Sequence, residues 1–204
     1  EPEALSLQGI KAVIEDYRQA ALNARLAGFD GVELHCTSGY LPMQFMASGS
    51  NQRNDEYGGD AHSRVRFAKD VIEAMANAIG AGRVGFRQCP GNPYNDIDDQ
   101  APAATAAALC QAVAHLPLAY LHIMRSPLEG LDAFALAQFD CFYYPRIFLF
   151  HKLYWNPVRI FRYIVVFKRP IQWNVTFVLS PALIFKYRFQ EFSPRVISIE
   201  YIGV

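Results

Sequence analysis

The strongest constraint on the fold of this chain is an alternation of amphipathic helices with short apolar runs. Apolar residues recur every three or four positions from Ile10 to Ala24, which predicts a helix, and Gly28 follows where a left-handed residue would end it. The run 31–35 then has the length of one buried strand. Because parallel strands are joined by crossover helices, this alternation predicts an α/β fold.

Two more helix–strand units follow the first. A helix that begins at Asp60 or Ser63 and is ended by glycines precedes a predicted strand over 84–87. An alanine-rich helix over 102–116 precedes a third predicted strand over 118–123. Three such units fit an open sheet as well as part of a barrel, so the pattern alone leaves both architectures open.

The residues best suited to chemistry follow the first predicted strand. That strand ends at His35, and a short polar turn containing a glycine carries the chain to Tyr40. In a parallel β/α fold the functional groups collect at the carboxyl ends of the strands, so we expect a site here. A lone histidine at a strand end, or a tyrosine at the rim of a barrel, is more often structural. These residues alone leave that interpretation open.

Composition and charge argue against several classes of function. The 204 residues carry a formal net charge of zero, so no overall basic field favours nucleic acid. The four cysteines show no C-x-x-C spacing and are interpreted as free thiols in a reducing, cytoplasmic compartment. Four histidines have no metal-ligand spacing among them, and we expect no metal site; they are His62, His115, His122 and His151.

The composition changes near Gln138. Residues 1–138 contain 25 alanines and 10 aromatic residues, whereas residues 139–204 contain one alanine and 18 aromatic residues. Basic and acidic residues number 10 and 16 in the first part, and 9 and 3 in the second. Because these two compositions are unlike those of one packed domain, we expect a boundary near Gln138, followed by an aromatic-rich tail, residues 139–204.

Three interpretations of the aromatic-rich tail are open. Its longest uncharged run, 170–185, has 16 residues. A spanning helix needs about 20, so we expect no membrane segment. The β-branched and aromatic runs fit strands of an unrelated module. The interpretation that we favour is a changed reading frame or gene model, which would leave the tail unassigned and poorly ordered.

Several sequence motifs between about Ser6 and Gln138 are distinctive: AGFDGVELH, GYLPMQF, SNQRNDEYGG, RVGFRQCP and LAYLHIMR. With these motifs the segment resembles the Old Yellow Enzyme family of FMN-dependent ene-reductases. The run Ser50 to Gly59 is long and unusual, which makes the match specific. The resemblance implies a partial TIM (β/α)8 barrel, with this segment as strands four, five and six.

The resemblance implies FMN as cofactor, NAD(P)H as reductant, and a small α,β-unsaturated substrate such as an enone or a nitroalkene. Tyr40 corresponds to the tyrosine that protonates the α-carbon after hydride reaches the β-carbon. A phenol, with a reference pKa near 10, keeps its proton at neutral pH and can donate it. His35 corresponds to the position that binds the substrate oxygen. Arg87 corresponds to the arginine that contacts the flavin ring near N1.

Two positions depart from the family pattern. The family has His-x-x-Asn or His-x-x-His before Gly-Tyr, whereas this chain has Ser38 in place of that Asn or second His. The serine side chain is shorter than that of Asn or His, so its hydroxyl reaches less far as a donor. Ser38 is a candidate substrate-binding residue. Cys89 replaces the serine of the Ser-Pro that usually follows the arginine. A set of loop residues is interpreted as structural: Arg53, Asp55, Tyr57, Gly58 and Gly59.

Other parts of the family's flavin site have no counterpart in this sequence. The family's first three strands contact the flavin ring, and its last two βα loops form a glycine-rich phosphate cradle. Residues 139–204 contain a single glycine, Gly203. We therefore expect a truncated reductase with open strand edges and weak FMN binding. The alternative is a non-catalytic barrel remnant unable to bind FMN.

Overall fold

The computed structural model describes residues 3–124 in full and, beyond them, the backbone of four short strands. The elements in residues 3–124 are α1 Leu7–Leu26, β1 Gly31–His35, α2 Leu41–Met46, α3 Ala61–Arg64, α4 Arg66–Ile79, β2 Val84–Gln88, α5 Pro102–Val113 and β3 Tyr120–Met124. The later strands are β4 Tyr163–Phe167, β5 Phe177–Val178, β6 Ile184–Phe185 and β7 Val196–Ile199. The predicted α/β alternation is confirmed.

The strands β1, β2 and β3 form a parallel sheet. Val32 pairs with Val84, and Gly85 pairs with Tyr120, so the three strands lie in the order in which they occur along the chain. The expectation of open edges concerned β1, β2 and β3 alone. In the structure β7 pairs in parallel with β1 and β4 pairs antiparallel with β3, which makes β7 and β4 the two edge strands of a five-stranded sheet. The strands β5 and β6 form a separate antiparallel pair. The predicted boundary at Gln138 lies outside the described residues.

Helix α1 follows the predicted apolar stripe with one change. The Ser6 hydroxyl caps its first turn by accepting a hydrogen bond of 3.0 Å from the Gly9 N–H. Ala21 is fully buried, whereas the predicted Ala20 is half-buried. The difference follows from helical spacing, because Ala21 continues the row of Tyr17 one turn later. Gly28 has a φ of +87°, as expected for the residue that ends the helix.

The second predicted helix is divided into α3 and α4. Asp60 caps α3 as predicted, since its carboxylate accepts a hydrogen bond of 2.8 Å from the Ser63 N–H. The chain turns at Val65 before α4 begins. Gly80, with a φ of +90°, ends α4 as expected. The helix α4 packs mainly against α1.

The third unit is displaced slightly from its predicted bounds. Helix α5 ends at Val113 rather than at Leu116. Pro117 accounts for the early end, because a proline disfavours helical backbone at the residue before it. Strand β3 consequently begins at Tyr120, two residues later than predicted.

The two faces of the parallel sheet differ in polarity. One face is apolar and packs against the helices; it carries Val32, Leu34, Val84, Phe86, Leu121 and Ile123, all fully buried. The opposite face carries Glu33, His35, Arg87, Tyr120 and His122, which are placed together by the register of the three strands. We call these five residues the polar face. No helix within residues 3–124 is long and apolar enough to cross a membrane.

Candidate active site

The candidate site predicted from the sequence lies at the carboxyl end of β1. The His35 ring lies with its centroid 4.9 Å from that of the Tyr40 ring, and the two planes are inclined by 54°. The structure therefore brings together the predicted oxygen-binding residue and the predicted proton donor. His35 is 4% exposed and Tyr40 is half-buried, so the pair lies at the boundary between the polar face and the surface.

His35 is held in its neutral form. Burial is the main cause, with help from the nearby Arg87 charge, and together they lower the pKa of His35 to about 4 although Glu33 opposes the shift. At neutral pH its ring therefore carries one N–H and no net charge. Such a ring can donate a hydrogen bond to an oxygen on a ligand without giving up a proton.

The backbone around Tyr40 is fixed on both sides. Tyr40 precedes α2 in extended conformation, and its carbonyl accepts a hydrogen bond of 3.0 Å from the Gln44 N–H. Its own N–H donates to the carbonyl of Thr37 across 3.3 Å. The Gln44 side chain donates to the carbonyl of Gly39 across 2.7 Å. These bonds set the position from which the phenol is presented.

The turn before Tyr40 has a left-handed backbone. Ser38 has a φ of +59° and Gly39 a φ of +77°. A Cβ at Gly39 would lie 2.5 Å from the Cβ of Asn95, so the loop after β2 packs closely on this turn. Asn95 donates a hydrogen bond of 2.7 Å to the Ser38 carbonyl. Asn92 donates one of 3.2 Å to the Ser38 hydroxyl oxygen.

Arg87 lies on the polar face and is paired with a buried carboxylate. Its Nε is 2.9 Å from Glu33 Oε1, and His122 Nδ1 is 3.0 Å from Glu33 Oε2. The Arg87 Nε–H is directed at His122 Nδ1 across 3.2 Å, and its contact with Glu33 is an ion pair. The His122 tautomer decides the role of Nδ1, which donates to Glu33 Oε2 when it carries the proton and accepts from Arg87 when it does not.

The carboxylate at the centre of this network is ionised. Burial alone would raise the pKa of Glu33, but His122, Arg87 and Tyr120 together outweigh burial and lower it to about 2. The Tyr120 hydroxyl donates to the same carboxylate, and burial is the main cause that raises its own pKa. Glu33 thus offsets the charge of Arg87 and fixes its guanidinium against the sheet.

The donor set of Arg87 fits the edge of a flavin ring. A guanidinium offers five N–H groups, and the Nε–H is directed at His122 Nδ1. The four N–H groups on its terminal nitrogens are the donors that would hold an acceptor-rich ring edge. Arg87 has 22% of its side chain exposed, enough for contact with a bound group. The expected absence of a glycine-rich phosphate cradle concerns residues 139–204, of which the structure describes only the backbone of four short strands.

The loop 53–59 has the structural role predicted for it. The Arg53 guanidinium pairs with the Asp55 carboxylate at 2.6 Å and also donates to the Leu5 carbonyl across 2.6 Å. A Cβ at Gly58 would overlap the Arg53 backbone. Tyr57 donates to Asp70 on α4 across 3.0 Å. The loop therefore links the start of the chain to α4.

A separate small cavity lies on the other side of the β1 and β2 ends. It has a volume of about 20 Å³ and is bounded by α2, α5 and the two strand ends, with Cys36 and Cys89 in its wall. Burial raises the pKa of the Cys36 thiol well above its usual range. Within residues 3–124, Cys36, Cys89 and Cys110 form no disulfide. Among residues 3–124 no group of three or more His, Cys, Asp or Glu side chains could hold a metal.

Sequence reasoning missed four residues that surround the predicted ones. Glu33 could have been noticed, because an acidic residue in a short buried strand requires a partner. The other three are His122, Asn92 and Asn95, whose roles depend on contacts between distant parts of the chain and leave no local signal.

The fold and the site define a β/α protein with polar groups at the carboxyl edge of a parallel sheet, the usual place for an active site in such folds. The model of the NADH:flavin oxidoreductase / NADH oxidase family matches residues 2–129. The chain belongs to this family, and the resemblance to the Old Yellow Enzyme family is confirmed over that part of the chain.

Individual relatives agree with this assignment. A probable flavin mononucleotide-dependent alkene reductase of Leishmania infantum is 41% identical over 143 residues, which are 68% of this chain and 39% of the relative. A morphinone reductase solved with tetrahydroNAD is 39% identical, with a TM-score of 0.63 over 68% of this chain and 39% of its own. An old yellow enzyme homologue from Zymomonas mobilis is 36% identical, with a TM-score of 0.57 over 58% of this chain and 34% of its own. The chain thus spans well under half the length of these relatives.

Proposed function

We propose that this chain carries the substrate-binding and proton-donating segment of an FMN-dependent, NAD(P)H-driven reductase of electron-poor alkenes. Its substrates would be small enones or nitroalkenes. Membership of the flavin oxidoreductase family supports the reaction class. The observation that carries the proposal is the 4.9 Å separation of the His35 and Tyr40 rings. That separation lets one small molecule touch an oxygen-binding group and a proton donor together.

FMN, when bound, would supply the hydride that reaches the β-carbon of the alkene, and NAD(P)H would reduce the flavin again. Tyr40 completes the reduction by donating its phenolic proton to the α-carbon. The hydride and this proton together make up the two hydrogens added across the double bond. The half-buried Tyr40 side chain then regains a proton from solvent.

His35 activates the alkene through its substituent. A neutral imidazole N–H directed at the carbonyl or nitro oxygen stabilises the negative charge that gathers there as hydride is added. The pKa of about 4 supports this role, because the ring stays a hydrogen-bond donor and does not protonate the oxygen. Ser38, three residues further on, would offer a second donor to the same oxygen.

Arg87 is the described residue that would hold the flavin ring. A fixed positive charge beside the ring favours the anionic reduced form of such a cofactor. The Glu33 partner sets the position of that charge on the sheet. In the same proposal, β1, β2 and β3 correspond to strands four to six of an eight-stranded barrel. The described cysteines, Cys36, Cys89 and Cys110, are buried and form no disulfide with one another, which supports a reducing, cytoplasmic compartment.

The proposal is tested by adding FMN to the purified 204-residue chain and following the visible flavin spectrum. We expect weak, saturable binding that requires high FMN concentrations, followed by NAD(P)H-dependent reduction of 2-cyclohexenone by the loaded protein. The matched control is Arg87→Gln, which removes the guanidinium and should weaken FMN binding. A chain that binds no FMN at any concentration tested would support the alternative, a non-catalytic barrel remnant.

A further inference from the structure

The buried amide of Asn92 makes three hydrogen bonds in the loop after β2. Its Nδ2 donates to Thr37 Oγ1 across 3.0 Å and to Ser38 Oγ across 3.2 Å. Its Oδ1 accepts from the Tyr94 N–H across 3.0 Å. Because a backbone N–H can only donate, this last bond requires the oxygen of the amide on that side and the nitrogen toward the turn. Asn92 is 2% exposed, so its amide is held in this orientation.

The orientation of Asn92 determines what the Ser38 hydroxyl can do. A hydroxyl has one proton and two lone pairs, and one lone pair of Ser38 is occupied by the Asn92 N–H. The Ser38 proton therefore points away from Asn92 and can be donated to another acceptor. Ser38 is half-buried and lies in the turn between His35 and Tyr40, so that acceptor can be a ligand.

We propose that Asn92 is a positioning residue that directs the Ser38 hydroxyl proton toward the oxygen of an enone or nitroalkene. The proposal rests on the proposed function, in which Ser38 is a second donor for the same oxygen as His35, and adds the residue that orients this donor. The amide of Asn92 comes from the loop after β2 and would act on the ligand through the Ser38 hydroxyl.

The first experiment examines the hydrogen bonds without any ligand. Side-chain amide proton exchange of Asn92 is measured by NMR in the 204-residue chain and in Ser38→Ala. We expect both amide protons to be protected in the unsubstituted chain, and only one to lose protection in Ser38→Ala. Equal exchange in the two proteins would show that Asn92 does not hold the Ser38 hydroxyl, and would overturn the proposal.

The second experiment measures the affinity of the FMN-supplemented chain for 2-cyclohexenone by NMR titration of the His35 and Tyr40 rings. We expect Ser38→Ala and Asn92→Asp each to weaken binding about threefold to tenfold, the effect of one hydrogen bond. The aspartate would accept the Ser38 proton and turn it away from the ligand. The double variant should bind no more weakly than either single variant, because both changes remove the same contact.

Thr37→Val is the matched control. It removes the other hydroxyl that Asn92 holds, and it leaves Ser38 in place. We expect enone affinity within about twofold of the unsubstituted chain, since the lost bond of Thr37 is structural. An equal loss in Thr37→Val and Ser38→Ala would assign Asn92 to turn structure alone and overturn the proposal. If the unsubstituted chain binds no enone, both the proposed function and the positioning role of Asn92 are overturned. Normal enone binding by Asn92→Asp would overturn only the positioning role of Asn92.

Discussion

Arg87 Nε lies 2.9 Å from Glu33 Oε1, an ion pair that joins two neighbouring strands on the polar face. The pair lies beside the His35 ring, whose neutrality depends partly on the Arg87 charge. The guanidinium that we propose binds flavin and the imidazole that we propose binds the substrate oxygen are thus linked electrostatically through one buried carboxylate. Stability and chemistry of the site should consequently respond to the same substitutions.

Glu33→Gln tests the stability of this network. Removing one partner of a buried pair leaves the other charge uncompensated, and we expect the free energy of unfolding at neutral pH to fall by about 3 kcal/mol. Urea denaturation measures this change. Glu15→Gln is the control, because its pair with Arg18 is exposed, and it should have no measurable effect. An equally stable Glu33→Gln protein would mean that the pair adds nothing to folding.

His35 should make the stability of the protein depend on pH. Its folded pKa of about 4 lies below the reference value of about 6.5, so between these values the unfolded chain binds more protons. The contribution is fully present above pH ~6.5 and is lost as the pH falls toward 4, with a slope of up to about 1.4 kcal/mol per pH unit. Denaturation between pH 7 and 4 measures it.

The controls for this prediction are two histidine substitutions. His35→Gln removes the titrating group and should flatten the slope between pH 6.5 and 4. His62→Gln changes an exposed histidine on α3 and should leave the slope as it is in the unsubstituted chain. A slope that survives in His35→Gln would assign the pH dependence to another group.

Gly58→Ala tests the loop that joins α4 to the start of the chain. The added methyl group would overlap the Arg53 backbone, and we expect a loss of about 1–3 kcal/mol in the free energy of unfolding. Gly82→Ala is matched to it, because a Cβ at Gly82 meets no atom within 4 Å. Thermal denaturation compares the two variants. Similar melting temperatures would show that the loop adjusts to the added methyl group without a loss of stability.

Local patterns predicted the elements that are long and periodic. The strand at 31–35 and the helices α1 and α4 were expected because apolar spacing and terminal glycines are visible within a short stretch of sequence. Helix α2 was missed, since six residues are too few to show a helical period. The strands that pair with the edges of the parallel sheet lie in a segment whose sequence shows no βα alternation.

The site was predictable to the extent that it depends on the sequence motif. His35, Tyr40 and Arg87 were placed by their spacing and by the family resemblance. Glu33 and His122 are 89 residues apart and meet only through the register of three strands. Asn92 reaches Ser38 from a loop 54 residues away. Contacts of this kind follow from the fold and have no signature in either local segment.

Tyr40→Phe tests the proton donor directly. The substitution removes one hydroxyl and keeps the ring beside His35, so the fold and the ring packing should persist. Without the phenolic proton, we expect enone reduction by the FMN-loaded chain to slow by about 100-fold or more. The rate at which NAD(P)H bleaches the flavin absorption should change little, because that step requires no proton from Tyr40.

Stopped-flow absorbance measures both steps on the same protein. Tyr94→Phe is the matched control, since Tyr94 is exposed on the loop packed against the same turn, and it should leave both rates unchanged. Equal slowing of both steps in Tyr40→Phe would point to disturbed flavin binding and remove Tyr40 from the role of donor. Recovery of enone reduction at lower pH in Tyr40→Phe would fit the proposed role, because solvent protons then replace the missing phenol.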